Sequence, residues 1–228
     1  MRPMGLFGVT EMFEKDYIMR MIQQFARFLA VVLFKIKSGN VEQAQLDIQS
    51  ASQRYLGLRF DFLLGIPNQE LVNIFSISGQ LDVERCYFAA QLFILEAKAR
   101  QADHPEGSYG CYLRALDLLL ICVRQLDEAL KNEAISAIDE ILQTVRDNNL
   151  PMDIYEKLLF FYEYRNEYAK AEDCLFKIAE NGVDSALKIG ESFYERLMEK
   201  TDQELEDGNL PRSELEEGLL ELRSKLNT

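Results

Sequence analysis

Residues 39–51 read GNVEQAQLDIQSA. A turn residue, Gly39, is followed by Val41, Ala44, Ile48 and Ala51 at three- and four-residue spacing, the pattern of a helix with one apolar face. The same order returns twice. Gly110, Tyr112, Ala115, Leu119 and Cys122 form a second copy, and Asn166, Tyr168, Ala171, Leu175 and Ile178 a third. Gly or Asn at the head tolerates positive φ. The Ala lets the second helix of a hairpin approach the first, while larger residues fill the groove between them. The copies stand 71 and 56 residues apart, so they describe an irregular array rather than a fixed period.

Outward from the first copy, apolar residues between Phe13 and Lys37 fall at Tyr17, Ile18, Met21, Ile22, Phe25, Phe28 and onward, predicting a helix of about seven turns. Around FLAVVLF at 28–34 it is apolar on every side, as in a segment central to a fold or packed on a second chain. The second helix should end near YLGL at 55–58. The stretch 57–80 is broken by Gly57, Gly65, Pro67 and Gly79 and reads as short helices and turns. Asp82 is placed to cap a helix running to about Ala102. Further helices are expected at about 109–126, 131–147 and 184–205. Asp153 with Glu156, and Ser213 with Glu216, carry the spacing of capping boxes for two more. No alternating run marks a strand. The expected fold is all-α, with antiparallel hairpins stacked as an irregular superhelix. Its parts would be an N-terminal extension at 1–12, expected to be disordered, a helical pair with bridging helices at 13–80, and a repeat region at 81–228 continuous with it.

The net charge is −13 and is unevenly spread. Residues 1–80 hold 8 basic side chains against 7 acidic, and residues 151–228 hold 10 against 19. An acidic C-terminal third without a basic stripe argues against nucleic acid. The seven-residue run at 28–34 falls far short of the roughly 20 apolar residues of a membrane span. The start, MRPMGLFGVTE, is too short and polar for a signal peptide. Cys86, Cys122 and Cys174 lie in apolar-periodic segments and read as core thiols in a reducing compartment.

The third copy and the helix before it, with Tyr155, Leu158, Leu159 and Tyr162 on one face, resemble the tetratricopeptide repeat. Leu159 stands where that repeat has Gly, and Lys35 replaces an aromatic in the first copy. A longer resemblance rests on MFEKDYIMRMIQ, YLGL, EYAKAEDCLF, FYERLM and LPRSELEEGL. These look like a family of uncharacterised bacterial cytosolic proteins with a tetratricopeptide-like fold. The resemblance runs from Met12, which marks that methionine as a candidate start. It implies a fold and a cytoplasmic location, and no activity.

The sequence holds no nucleophile elbow, phosphate loop or dinucleotide fingerprint. His104, the single histidine, sits in the polar loop DHPEG and reads as a solvated residue. Glu191, Glu195 and Glu199 recur every four residues but lack the Glu-x-x-His partner of carboxylate di-metal bundles, so they read as a solvated face. Neither a cofactor nor a metal is expected. The expected function is a non-catalytic interaction scaffold whose concave surface takes a basic or amphipathic peptide or helix through Glu156, Phe160, Tyr164 and Arg165. Two alternatives remain. One is a ligand pocket or enzyme site near residues 57–80, and the other a homodimer through Phe28, Val31 and Val32 on helix one.

Overall fold

A computed structural model of the chain describes residues 7–180 and 186–226, with side chains from Met19 onward except at 223, 225 and 226. The side chains of Tyr17 and Ile18 and the start of the helix expected at 184 lie outside the described residues. Among those described, the structure is all-α apart from one two-residue hairpin, and it resolves into two compact units, residues 1–141 and 142–228.

In the first unit α1 spans Phe7–Lys37, so its backbone is already helical where an extension was expected up to residue 12. It turns at Gly39 into α2, Val41–Ala51, which runs on into a π-helical turn, Ser52–Leu56. The two helices are antiparallel: Lys35 pairs with Asp47 at one end, and Arg54 donates to Gln24 at the other. Short helices α3, Phe60–Gly65, and α4, Asn68–Ile74, fill the stretch expected to bridge. A hairpin follows, β1 (Ser76–Ile77) on β2 (Gln80–Leu81), with Ser76 opposite Leu81. Its turn residues Ser78 and Gly79 both have positive φ, as a tight two-residue hairpin turn requires. Two-residue strands are too short to show alternation, so the pattern that marks a strand never develops.

The core of this unit is α5, Val83–Arg100, against α6, Pro105–Cys122. Asp82 caps α5 as expected, its carboxylate accepting from the Arg85 amide at 3.0 Å. From Cys86 to Ala97 every α5 residue except Gln91 is buried. Ser108 donates to the Ala97 carbonyl at 2.8 Å, closing the turn between them. Phe88 of α5 meets Phe25 of α1 with ring centres 4.4 Å apart, and Phe93 meets Phe60 of α3 at 5.4 Å. Arg114 of α6 ties down the α3–α4 connection. Its guanidinium lies 4.4 Å from the Phe93 ring centre and donates to the carbonyls of Leu64 and Ile66 and to Asn68 Oδ1. α7, Glu128–Thr144, carries the chain on. Helices α6 and α7 each begin and end a few residues before the expected bounds, and α6 starts early because Pro105 supplies a favoured first helical residue.

In the second unit α8 spans Met152–Tyr164 and α9 Tyr168–Glu180, joined by a tight turn with Asn166 at φ 58°. Neither expected capping box starts a helix. Pro151 is the N-cap of α8 and its carbonyl takes the Ile154 amide; the Pro211 carbonyl takes the Glu214 amide at the head of α12, Arg212–Leu226. The helix expected across 184–205 is two: α10, Ala186–Met198, and α11, Asp202–Asp207. The break is Thr201, whose hydroxyl accepts from the Glu204 amide while Glu204 accepts from the Thr201 amide. Close approaches at glycine hold this unit together. A Cβ on Gly190 would stand 2.1 Å from Leu222 Cδ2, and one on Gly218 would stand 2.4 Å from Glu172 Oε1.

The repeated pattern is a burial pattern. Ala44, Ala115 and Ala171 are wholly buried, as are Ile48, Leu119 and Leu175 beside them. Each copy is the second helix of a consecutive pair, in α1–α2, α5–α6 and α8–α9. One position departs: Gly110 lies inside α6 and makes no turn. The turn of that pair comes earlier, at residues 101–104, where Pro105 restarts the helix.

Candidate functional site

α8 buries Ile154, Leu158, Leu159 and Phe161, which hold it against α9. Phe160 and Tyr164, four residues apart, fall outside that stripe and remain 46% and 39% exposed. Glu156 lies one turn earlier on the same face and is half-buried. Three of the four expected contact residues are therefore brought together along one helix face.

Arg165 is engaged elsewhere. It is the C-cap of α8, its guanidinium 5.4 Å from the Phe161 ring centre and its Nε 2.6 Å from Glu167 Oε1. It props the α8–α9 turn rather than extending the aromatic face. The cation beside Phe160 is Arg196 of α10, 5.9 Å from the ring centre. Arg196 donates through two nitrogens to both oxygens of Glu163, at 2.6 and 2.8 Å, and through a third to Ser192 Oγ. Those hydrogen bonds to Glu163 hold its guanidinium protonated above the ordinary range. Sequence reasoning missed Arg196, because nothing in the spacing of residues 160 and 196 shows that they meet.

The α1 face is split. Val31 is 53% exposed and Phe34 71%, whereas Val32 is wholly buried and Phe28 half-buried. Val32 is core, and its assignment as a contact with a second copy is corrected: its helix face is covered within the unit, where neighbouring Phe25 packs on Phe88 and Tyr55. A cavity of about 490 Å³ opens between α1 and α2 over Phe28, Val31, Ala51 and Tyr55. A second, of about 700 Å³, lies at the α5–α6 turn beside Gln45, Arg100 and His104. Neither is lined by residues 57–80, where a pocket was expected.

His104 is exposed in that turn. Glu195 and Glu199 are exposed and Glu191 is half-buried. Among the described residues no group of three His, Cys, Asp or Glu is placed to hold a metal ion, and no helix is long and apolar enough to cross a membrane. All four cysteines are free and buried.

A family model matches residues 12–227, nearly the whole chain. The chain belongs to DUF6483, a family of unknown function. Comparison with curated proteins and with solved structures returns no match.

Proposed function

We propose that this DUF6483 member is a non-catalytic, tetratricopeptide-like interaction scaffold of the bacterial cytoplasm, and that it holds a basic or amphipathic peptide or helix on the α8 face. The observation that carries this reading is the exposed pair Phe160 and Tyr164 on a helix that buries Ile154, Leu158, Leu159 and Phe161 and half-buries Met152, Tyr155 and Tyr162. Exposed aromatics beside a pinned guanidinium have the chemistry of binding hot spots, since large rigid rings bury much area at little entropic cost. The acidic balance of residues 151–228 favours a cationic partner. Three helical pairs that share a buried Ala at the crossing support the repeat reading.

The test is capture from lysate with the tagged full chain, run beside a Phe160→Ala/Tyr164→Ala variant and an Arg165→Ala variant. The expected result is a protein retained by the natural chain and lost by the aromatic double variant at unchanged helical content. Arg165→Ala should lower stability instead, since that side chain props a turn. A bound set that is the same with and without the two aromatics would overturn the reading.

A further inference from the structure

The cavity between α1 and α2 differs from the α8 face in shape and in charge. Its floor is apolar, built from Phe28 and Val31 on one helix and Ala51 and Tyr55 on the other. Ala51 is the last position of the first repeated copy, and its small side chain leaves the space that a larger residue would fill. The π-helical turn after α2 places Arg54 and Tyr55 on the wall. Single π turns within helices are frequent at functional sites, because the extra residue breaks the regular side-chain register. Polar contacts between the two helices flank it, Lys35 to Asp47 toward one end and Arg54 to Gln24 toward the other.

The charge of this groove is the opposite of the chain's. Asp47 is the one acid among its described lining residues, and Lys35 neutralises it at 2.5 Å. Arg54 donates to a neutral amide and lies 5.5 Å from the Tyr55 ring centre, so its charge is uncompensated by either contact. Arg27 adds a second positive charge from α1. The groove is thus an apolar furrow with a cation on each wall, inside a protein of net charge −13.

We propose that this furrow docks an acidic amphipathic helix of a partner protein. Its length follows from α1: Gln24 to Val31 is about 10 Å of helix, or two turns. A helix laid along it would anchor apolar residues at i, i+3 or i+4, and i+7 on the floor, with carboxylates facing Arg27 and Arg54. A cavity of about 490 Å³ has the size of a binding cleft. A second copy fits poorly, since a two-fold contact brings each patch onto itself and would set these arginines against their own mates. The inference is independent of the α8 face.

The experiment uses the full chain and two labelled model helices of about five turns. One carries leucines at i, i+3, i+4 and i+7 flanked by glutamates, and its twin carries lysine for every glutamate. In the Phe160→Ala/Tyr164→Ala background, which removes the α8 face as a second site, fluorescence anisotropy should show the acidic helix binding about tenfold more tightly than the basic one, as two complementary contacts allow. In an Arg27→Glu/Arg54→Glu variant of unchanged helical content that preference should reverse. In the same background Val31→Glu should weaken binding of the acidic helix, while Phe34→Ser, outside the lining, should leave it intact. Equal affinities, a preference that survives the charge reversal, or no binding of the acidic helix would overturn the proposal. So would a concentration-dependent dimer dispersed by Val31→Glu, which makes the occupant a second copy. Cosedimentation with vesicles containing phosphatidylserine, lost in the arginine variant without any peptide binding, would make it a lipid surface instead.

Discussion

A methyl group added at position 208 would stand 2.2 Å from Tyr168 Cδ2 and 2.8 Å from the Asn166 carbonyl oxygen. The ring is fully buried and the carbonyl belongs to the tight α8–α9 turn, so neither can yield cheaply. At Gly110, by contrast, an added methyl would meet nothing within 4 Å, and the residue sits in mid-helix. Glycine there costs helix stability because of the backbone freedom it loses on folding. Gly208→Ala should therefore destabilise the protein by about 1–3 kcal/mol, and Gly110→Ala should stabilise it by about 1 kcal/mol. Urea denaturation checks both as opposite shifts in midpoint at unchanged slope. Equal shifts of one sign would refute the packing account. The contrast also shows why the second repeat copy was misread. A glycine at the aligned place reads as a turn, but Pro105 had already started the helix five residues before it.

At the scale of elements, α9, α10 and α12 meet around one carboxylate. Tyr194 of α10 donates to Glu172 Oε1 of α9 at 2.6 Å, and Gly218 of α12 closes over both. Burial pushes the Glu172 carboxyl above its ordinary value, against the opposing effect of the Tyr194 hydrogen bond, and nearby Asp173, Glu214 and Glu221 push the same way as burial. The folded chain thus holds this proton to higher pH than the unfolded chain does. Between the two values the folded state binds more protons, so this contribution to stability is full below the ordinary glutamate range and is lost as pH rises through the folded value. Glu172→Gln keeps an acceptor for Tyr194 and removes the titration. Relative to that variant, the natural chain should lose stability as pH rises from about 4 toward neutrality, measured by denaturant unfolding across that range; a constant difference would refute it. Helix starts show how far such contacts were legible. Asp153–Glu156, Thr201–Glu204 and Ser213–Glu216 share one spacing, yet only Thr201 caps a helix. In the other two a proline stands two residues upstream, at 151 and 211, and its carbonyl takes the first amide bonds. Asp82, with no proline before it, was read correctly. On α1 the apolar run at 28–34 has no contrast for periodicity to use. Tertiary packing alone decides that Val32 is covered and Val31 is open.

Across the whole molecule the four cysteines report on opening of each unit. Cys86, Cys111 and Cys122 lie in the α5–α6 core of the first unit, and Cys174 on α9 of the second. Burial pushes the Cys174 thiol up to about 12 and raises Cys111. Cys86 is raised first by its hydrogen bond with Cys122 and then by burial. A thiol reacts as its anion, so none of these three should be alkylated while its surroundings stay closed. Labelling then follows the local opening equilibrium. Arg114→Ala leaves the Leu64 and Ile66 carbonyls and Asn68 without their donor, a loss of about 2 kcal/mol. That corresponds to a rise of about thirtyfold in the open population. Iodoacetamide labelling resolved by peptide mass spectrometry should accordingly show Cys86, Cys111 and Cys122 quickened together by Arg114→Ala, with Cys174 unmoved. Gly208→Ala, whose clash is confined to the α8–α9 turn, should quicken Cys174 alone. If either substitution accelerated all four thiols equally, the compact units would be opening as one, and each repeated helical pair would draw its stability from the entire chain rather than from its own buried alanine and the helix it crosses.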